Sequence, residues 1–369
     1  MSKQRSQGLS LVELMIAMAI GLILMAGIAA LMISSKRSYN VQNDLSGLQE
    51  NARFATDFIG RDLRMAGYFG CAGNIPAGPA TIPAPILRIQ GTDNNGVNQS
   101  DVVLVSFVDT NRNAFAMMHC PSFAEYGSFL GFATQAAYEN AAVCPPPTQA
   151  TFLAAAERTP LVIGTTALPF TSQFTIRGEI FTGDFVVASD CGGNGLYRVQ
   201  AVSATGITVN PALERTYNNG GQSYGAQLRR LNQHRYYISQ RTVQDTETQA
   251  DKLYLSLCRD NLALAAARNC AEELVEGVEN MQVRYGVNLG MGAQPFQYVT
   301  ANNVVDWSRV ESIRITFLMR TLEQRFDQEL DTKEDYALDP GLSDNTYDPP
   351  DDYRIRRIFT STINLRNAN

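Results

Sequence analysis

The sequence predicts an α+β protein in which a long N-terminal α-helix, half transmembrane and half amphipathic, packs on a mainly antiparallel β head. The run from Leu14 to Ile33 contains no charged residue, and about 20 apolar residues suffice for a helix to cross about 30 Å of hydrocarbon. After Gly67 the chain changes to short apolar stretches between Gly, Pro and Asn turns, which is typical of antiparallel sheets. With 45% hydrophobic and 18% charged residues, the 369-residue chain can also bury a large core outside the helix.

The apolar run predicts that the N-terminus anchors the chain in a membrane. A secretory signal peptide has a shorter apolar core that is followed by a cleavage site of small residues, whereas here the small residues lie inside a run of full length. Lys3 and Arg5 precede the run, and Lys36 and Arg37 follow it. The balance of positive charge therefore does not set the orientation.

The helix is expected to continue beyond the membrane as its amphipathic half. Gly67 is suited to end it, because glycine readily adopts the left-handed conformation that follows a helix. Gly47 and Gly60 either mark bends or are tolerated inside the helix, at up to about 1 kcal/mol each. The apolar stripe that recurs every three or four positions consists of Val41, Leu45, Leu48, Ala52, Ala55, Ile59, Leu63 and Ala66.

Alternation of apolar and polar residues predicts the strands of the head. The alternation is clearest at Ile313, Ile315 and Phe317, as in an antiparallel strand with one buried face. The predicted strands are residues 102–108, 185–189, 196–202, 206–209, 227–239, 252–257, 281–287, 311–319 and 354–365. The predicted short helices are residues 133–142, 149–157 and 261–267, and the proline-rich loops are residues 75–85 and 144–147.

All six cysteines follow the apolar run. An even number of cysteines indicates disulfides and an oxidising compartment, so we expect the head in the periplasm or outside the cell. The sequence alone cannot choose among the many possible pairings. Because a short segment separates the members of each pair, the spacing favours Cys258 with Cys270 and Cys120 with Cys144, which leaves Cys71 for Cys191.

The sequence offers no catalytic, cofactor or metal site. It contains neither a P-loop nor an HExxH, GxGxxG or GxSxG motif, and it has no CxxC pairs with which to bind zinc. Its two histidines, His119 and His234, are expected to be surface or strand residues. Asp109, Asn111 and Asn113 imitate the start of a calcium loop, but its turn glycine and closing glutamate are missing, so we expect a turn. We therefore expect no enzyme activity and no cofactor.

The charge pattern bears on the partners. The net charge of −6 argues against a nucleic acid partner. Residues 327–352 are rich in carboxylates and contain prolines, and they precede Arg354, Arg356 and Arg357. We expect a solvated loop there, with a calcium site or a charged docking loop for a neighbouring subunit as the alternatives.

Glu13 stands at the entrance of the apolar run. On the residues alone it either lies in the headgroup zone at little cost or needs a partner for its charge. A short polar leader precedes it and ends at Gly8, with Leu9 as the next residue. This arrangement resembles the N-terminus of type IV prepilins, whose leader is cut after a glycine and whose fifth mature residue is a glutamate.

The resemblance implies a set of roles for these residues. Prepilin peptidase would remove residues 1–8 by cutting between Gly8 and Leu9, and Leu9 would become the N-methylated N-terminus. Glu13 would then compensate the α-amine of a neighbouring subunit and fix the axial register. Leu9 stands where major subunits usually carry phenylalanine, and Ala30 where they often carry proline, so both departures point away from a major subunit.

Three further stretches look like the PilW type of minor pilin. They are residues 62–68 (DLRMAGY), 310–315 (VESIRI) and 356–367 (RRIFTSTINLRN). The resemblance implies a pilin-like fold with a leader at 1–8, a transmembrane helix at 9–35, an amphipathic continuation at 36–67 and a β-rich head at 68–369. An insertion within the head is expected at about residues 70–170.

The same resemblance implies a function in type IV pili. The chain would co-assemble with the major pilin and other minor pilins through an inner-membrane assembly platform, and a tip adhesin is a further possible partner. It would help to initiate or tip the fibre, in pilus biogenesis, twitching motility and adhesion. Before assembly it would cross the inner membrane once with its head in the periplasm, and afterwards it would lie in the pilus at the cell surface.

The size of the head favours a few copies at one end of the fibre. A compact head of this length has a radius of gyration of about 19 Å, whereas the stem is only about 10–12 Å across. Such heads would crowd if they were repeated at every helical step. The alternatives are a pseudopilin of a type II secretion system, which uses the same leader and stem, and a signal-anchored periplasmic enzyme or binding module.

Overall fold

The computed structural model describes residues 10–70, 86–108, 115–117, 167–169, 180–190, 192–202, 206–210, 226–244, 251–263, 270–288, 296–324, 336–338, 346–350 and 352–367. Within these residues one long N-terminal helix packs against antiparallel sheets, so the predicted fold class is confirmed.

Helix α1 spans Leu11–Met65 without a break, and at 1.5 Å per residue it is about 82 Å long. Gly67 has a φ of +78° and directs the chain away from the helix, as expected. At Gly60 an added Cβ would meet Ile363 at 3.5 Å, an ordinary van der Waals contact, so this glycine is tolerated inside the helix. The buried stripe is the predicted one, namely Leu48, Ala52, Ala55, Ile59, Leu63 and Ala66, with Val41 and Leu45 packed beside it.

The first sheet has ten strands, all paired antiparallel. They are β1 (Ile89–Thr92), β2 (Val102–Val108), β3 (Phe115–Met117), β4 (Ala167–Pro169), β5 (Phe185–Asp190), β6 (Gly193–Val202), β7 (Gly206–Asn210), β8 (Ala226–Gln244), β9 (Asp251–Asn261) and β10 (Glu272–Glu276). The main path runs β1-β2-β8-β5-β6-β7-β4, while β3 and β9 also pair with β8, and β10 pairs with β9.

Strand β8 organises this sheet, because its 19 residues are long enough to pair with four other strands. Its first residues pair with β3 and β5, and its later residues pair with β2 and β9. Residues 241–244 and 251–253 of β8 and β9 are exposed and extend beyond the rest of the sheet as a two-stranded ribbon.

The second sheet is smaller and lies closer to the C-terminus. Its order is β12 (Phe296–Val299), β11 (Val278–Asn288), β13 (Val310–Arg320) and β16 (Arg356–Asn364), again all antiparallel. The short strands β14 (Tyr336–Ala337) and β15 (Thr346–Tyr347) pair only with each other among the described residues. The second half of α1 and the inner faces of both sheets enclose one common core.

The turn between β1 and β2 ties the two sheets together. Asn280 and Gln282 of β11 donate their side-chain amides to the carbonyls of Asn98 and Gln99, at 2.7 and 2.8 Å. The Asp101 carboxylate accepts the backbone N–H of Val283 at 2.7 Å. These bonds satisfy polar groups along the part of β11 that β12 does not reach.

The predicted strands are confirmed, whereas one of the predicted short helices is not. Every predicted strand overlaps an observed one, although β8 and β9 extend further than expected. The short helix predicted at residues 261–267 is wrong in its described part, because Asn261 ends β9 and residues 262–263 form a turn. The helices predicted at 133–142 and 149–157 and the loops at 75–85 and 144–147 lie outside the described residues.

Candidate functional site

The first half of α1 exposes an unusually large apolar surface. Every large apolar side chain from Leu11 to Ile33 is exposed to solvent. In the described part of the chain, α1 alone is long and apolar enough to cross a membrane. A soluble monomer rarely leaves so large an apolar surface in water, so this half of the helix requires lipid or other protein around it.

The start of α1 is capped by its own carboxylate. The Glu13 side chain accepts the backbone N–H of Ser10 at 3.3 Å, which satisfies one of the free N–H groups of the first turn. Gly8 and Leu9 lie outside the described residues. Their processing, and the pairing of Glu13 with a neighbouring subunit, remain predictions.

A stretch of exposed helix separates the apolar half of α1 from the head. Leu48 is the first fully buried residue of the helix, and it lies about 22 Å along the axis from Ile33. Val41 and Leu45 are partly buried against the core in between. The head is therefore attached along the second half of α1, from Leu48 to the end of the helix.

Asp62 forms a polar joint where α1 meets the first sheet. Its Oδ2 atom accepts a hydrogen bond from the hydroxyl of Tyr236 and another from Nη1 of Arg259, at 3.3 Å. The same oxygen lies 2.5 Å from Nδ1 of His234. His234 and Tyr236 point to the same side of β8, and Arg259 is the partner of Tyr236 across the ladder to β9. Three side chains from two strands thus converge on one carboxylate oxygen.

The electrostatics of this joint favour the ionised carboxylate. Burial raises the pKa of Asp62, but the hydrogen bonds and charges of His234, Tyr236 and Arg259 outweigh burial, so the pKa lies below its ordinary value. Burial and the nearby Asp62 charge raise the pKa of Tyr236 well above its ordinary value. The hydroxyl of Tyr236 therefore stays a hydrogen-bond donor to Asp62.

A disulfide and an ion pair hold Arg259 in place beside the joint. Arg259 donates Nε and Nη2 to one carboxylate oxygen of Glu272, at 3.0 and 2.6 Å. The disulfide between Cys258 and Cys270 links the residue next to Arg259 with the segment that leads into β10. This is the pair that the spacing favours, whereas Cys71, Cys120, Cys144 and Cys191 lie outside the described residues, so their pairing remains a prediction.

The end of α1 is closed by the C-terminal residues of the chain. Arg88 donates Nη1 to the Asn367 carbonyl at 3.0 Å and Nη2 to the Val310 carbonyl at 2.9 Å. Asn367 donates its side-chain amide to the Ala66 carbonyl at 3.2 Å. A side chain at Gly67 would approach the Arg88 Cβ to 3.1 Å, so the contact needs glycine. Residues from all three stretches that resemble minor pilins meet at this point.

A second buried charge cluster lies under the second sheet. Glu279 is 1% exposed and accepts Nε of Arg356 at 2.6 Å and Nη2 at 3.2 Å. Asp352, the last residue of the acidic segment 327–352, pairs with Arg356 at 2.8 Å and with Arg354 at 3.2 Å. One carboxylate of the segment is therefore part of the packed structure, whereas most of the others lie outside the described residues.

The two histidines and the metal-ligating side chains can be located only within the described residues. His234 is a strand residue, as expected, and it contacts Asp62 instead of facing solvent, while His119 lies outside the described residues. No three metal-ligating side chains come together within the described ranges. The calcium alternative for the acidic segment remains a prediction.

The sequence did not reveal Asp62, Tyr236 and Arg259 as a joint. One feature of the sequence does indicate the joint. Asp62 is a charged residue on the flank of an otherwise apolar helix stripe, between Ile59 and Leu63. Such a residue needs a partner if the stripe is buried. Its partners come from strands about 170 to 200 residues away in the chain, and no local pattern connects them.

The fold and this joint define a class of protein, namely a β head packed on one half of a helix whose other half suits a membrane or a helical bundle. Comparison with known families specifies the class further. Residues 235–367 match the family described as Type IV Pilus-assembly protein W, and residues 3–29 match the Prokaryotic N-terminal methylation motif. The resemblance to prepilins and to the PilW type is thereby confirmed, and residues 310–315 and 356–367 fall within the matched region.

One solved structure also shows a distant likeness. It is the type IV-like pilin TTHA1219 from Thermus thermophilus, with 16% sequence identity, coverage of 51% of this chain and 87% of that chain, and a TM-score of 0.21. No curated protein matches the chain in sequence.

Proposed function

We propose that this chain is a low-copy subunit of a type IV pilus that is stored in the inner membrane and later enters the fibre. The observation that carries the proposal is the wholly exposed apolar half of α1, which is joined to a packed head and follows a prepilin-type N-terminus. The match of residues 235–367 to a pilus-assembly family supports a pilus rather than another membrane-anchored machine.

Processing would begin with prepilin peptidase, which would cut between Gly8 and Leu9. The new amine of Leu9 would be N-methylated and would carry a positive charge beside apolar surface. In a bundle of helices, Glu13 of one subunit would compensate that charge on a neighbour, because an unpaired buried charge is costly. This pairing would fix the axial register with the major pilin and the other minor pilins.

The wide head favours a place at the end of the fibre. On this proposal the chain helps to start or tip the pilus and acts in biogenesis, twitching motility and adhesion. The assembly platform in the inner membrane and a tip adhesin are the further expected partners. Labelled heads spread evenly along the fibre would contradict this placement.

The experiment that tests the function is mass spectrometry of the mature N-terminus in sheared fibres, combined with Glu13→Ala. We expect methylated Leu9 in fibres of the wild type. Glu13→Ala should leave membrane insertion and leader cleavage intact but abolish recovery in fibres, because the register charge is lost. Glu50→Ala, which also removes an exposed carboxylate from α1, is the matched control and should assemble normally.

A pseudopilin of a type II secretion system is the second candidate, since the N-terminal motif and the stem alone suit it equally well. Deletion distinguishes the two. Loss of surface fibres and of twitching supports the pilus, whereas loss of protein secretion with fibres intact supports the secretion system. An anchored enzyme or binding module would leave both unchanged.

A further inference from the structure

Strand β16 forms one edge of the second sheet, and its outer side is unpaired within the ranges that the structure describes. It pairs with β13 along all nine residues of Arg356–Asn364 without a register shift. No residue in the described part of the chain pairs with its other side. We propose that an extended segment of a neighbouring subunit docks here and adds a fifth strand to the sheet. This inference rests on the proposed function, which supplies the neighbour.

The contrast with the other sheet edges supports this proposal. Proteins protect sheet edges from pairing with other chains by short strands, prolines, bulges and charges. Here β1 and β12 have four residues each, and β4 has three and includes Pro169. Strand β10 has a register shift and carries Glu272, Glu273 and Glu276. Strand β16, by contrast, is nine residues long, contains no proline and has no bulge.

The register shows which backbone groups are open. Beyond the two ends of β16, the N–H of Leu365 donates to the Glu311 carbonyl at 2.8 Å, and the Ile355 carbonyl accepts the N–H of Thr321 at 3.0 Å. Because the direction of backbone groups alternates along an antiparallel strand, the odd-numbered residues face β13 and the even-numbered ones face outward. The outward donors and acceptors therefore belong to Arg356, Ile358, Thr360, Thr362 and Asn364.

The direction of β16 restricts the partner. Arg356, the first residue of β16, pairs with Glu279. Three residues before Glu279, the Glu276 carbonyl accepts a hydrogen bond from Asn51 in the middle of α1. The turn after β16 reaches Ala66 at the end of α1, so β16 runs in the same sense as the helix. Two copies paired antiparallel through β16 would point their helices in opposite directions, and helices anchored in one membrane do not allow this. Antiparallel self-pairing is therefore excluded, and we assign the edge to a different segment of a neighbouring subunit.

Charge specifies the occupant further. Arg357 is exposed and has no ion-pair partner among the residues that the structure describes. Thr360, Thr362 and Asn364 present small polar side chains on one exposed face. A partner strand that runs antiparallel to β16, with a carboxylate opposite Arg357 and β-branched residues opposite the threonines, fits this edge.

Thr362→Pro tests the proposal with little effect on the head itself. Proline removes only the outward N–H of residue 362 and places its ring where the partner strand would lie, while the bonds to β13 remain. Thr362→Val keeps the N–H and the branched shape and is the matched control. In detergent, we expect the full-length proline variant to keep the melting temperature of the wild type. Its recovery in sheared fibres should fall by about tenfold or more, whereas the valine variant should be recovered normally.

Amide hydrogen exchange provides a measurement that needs no variant. In the detergent-purified wild type the N–H groups of 358, 360, 362 and 364 should exchange quickly, and those of 357, 359, 361 and 363 slowly. In sheared fibres or native membranes the even-numbered amides should slow by about tenfold or more. Equal rates in both states, with the proline variant assembling like the wild type, would overturn the docking edge while leaving the pilus function intact.

The two proposals fail in different ways. If the wild type is never recovered in fibres but its even-numbered amides are protected in native membranes, the pilus function fails and the docking edge stands. If those amides are unprotected in both preparations, the docking edge fails whatever the fibre fraction contains. A head that associates with itself in detergent through protected even-numbered amides would show a second copy as occupant and overturn the choice of partner.

Discussion

Replacing Asp62 with alanine is expected to destabilise the head where α1 meets the first sheet. The Asp62 side chain is 8% exposed, and the His234 and Arg259 side chains are 12% and 22% exposed. The substitution leaves three converging polar groups without their common acceptor. Arg259 keeps its second partner, Glu272, and is accordingly the least affected.

The size of the effect follows from these contacts. Removing one partner of a fully buried ion pair costs about 3–5 kcal/mol, and the remaining contact of Arg259 with Glu272 reduces this to about 2–4 kcal/mol. Asp62→Asn keeps one acceptor and the volume, so we expect a loss of about 1–2 kcal/mol. Tyr236→Phe removes a single hydroxyl donor and should cost about 1 kcal/mol. The effects of Asp62→Ala and Tyr236→Phe should not add, since both remove the same bond.

The assay is urea unfolding of the full chain in detergent, followed by tryptophan fluorescence. Trp307 is the single tryptophan. Its ring packs edge-on against that of Tyr285 in β11, with 4.8 Å between the ring centroids, so its fluorescence reports on the second sheet. Asp57→Ala is the control, because the Asp57 side chain is 68% exposed and its pair with Arg53 is expected to contribute at most about 0.5 kcal/mol. The reasoning is refuted if Asp62→Ala is as stable as this control, or if its effect adds fully to that of Tyr236→Phe.

Two further predictions concern pH and redox state. Burial raises the pKa of Asp101 to about 7, despite its hydrogen bonds from Asn94 and Val283. Because the folded pKa lies above the unfolded value, the contribution of Asp101 to stability is greatest below about pH 4 and falls as the pH rises towards 7, by about 1–4 kcal/mol. Melting temperatures between pH 4 and 8 should show this fall in the wild type and less of it in Asp101→Asn, and parallel profiles would contradict it. The double substitution Cys258→Ala and Cys270→Ala should lower the free energy of unfolding by about 2–4 kcal/mol. In the same urea assay, a double variant as stable as the wild type would show that the disulfide does not stabilise the head.

The helix could be predicted from the sequence in nearly full detail. Its buried stripe has a regular period, and Gly67 ends it by a local conformational preference, so both features depend only on near neighbours in the chain. The same holds for β2, whose largely apolar run 102–108 (VVLVSFV) coincides with the observed strand. Local pattern suffices where one face of an element meets one uniform environment.

Other features depend on distant parts of the chain and could not be predicted. Strand β10 reads EELVE, which has few of the residues that favour strands, and it forms because the disulfide and β9 hold it. Residues 240–244 of β8 lie beyond its predicted end and form strand because they pair with β9. The Asp62 joint likewise depends on two strands that only the fold brings next to the helix.

The way in which α1 joins the head also decides how the molecule would bear a mechanical load. The contact runs lengthwise from Leu48 to Ala66, parallel to the axis of the helix. Traction along that axis loads the whole contact in shear, so Asp62 and the apolar stripe resist together instead of separating one after another. An unbroken rod without proline transmits such tension with little extension, which suits a subunit that must stay attached while a fibre is pulled.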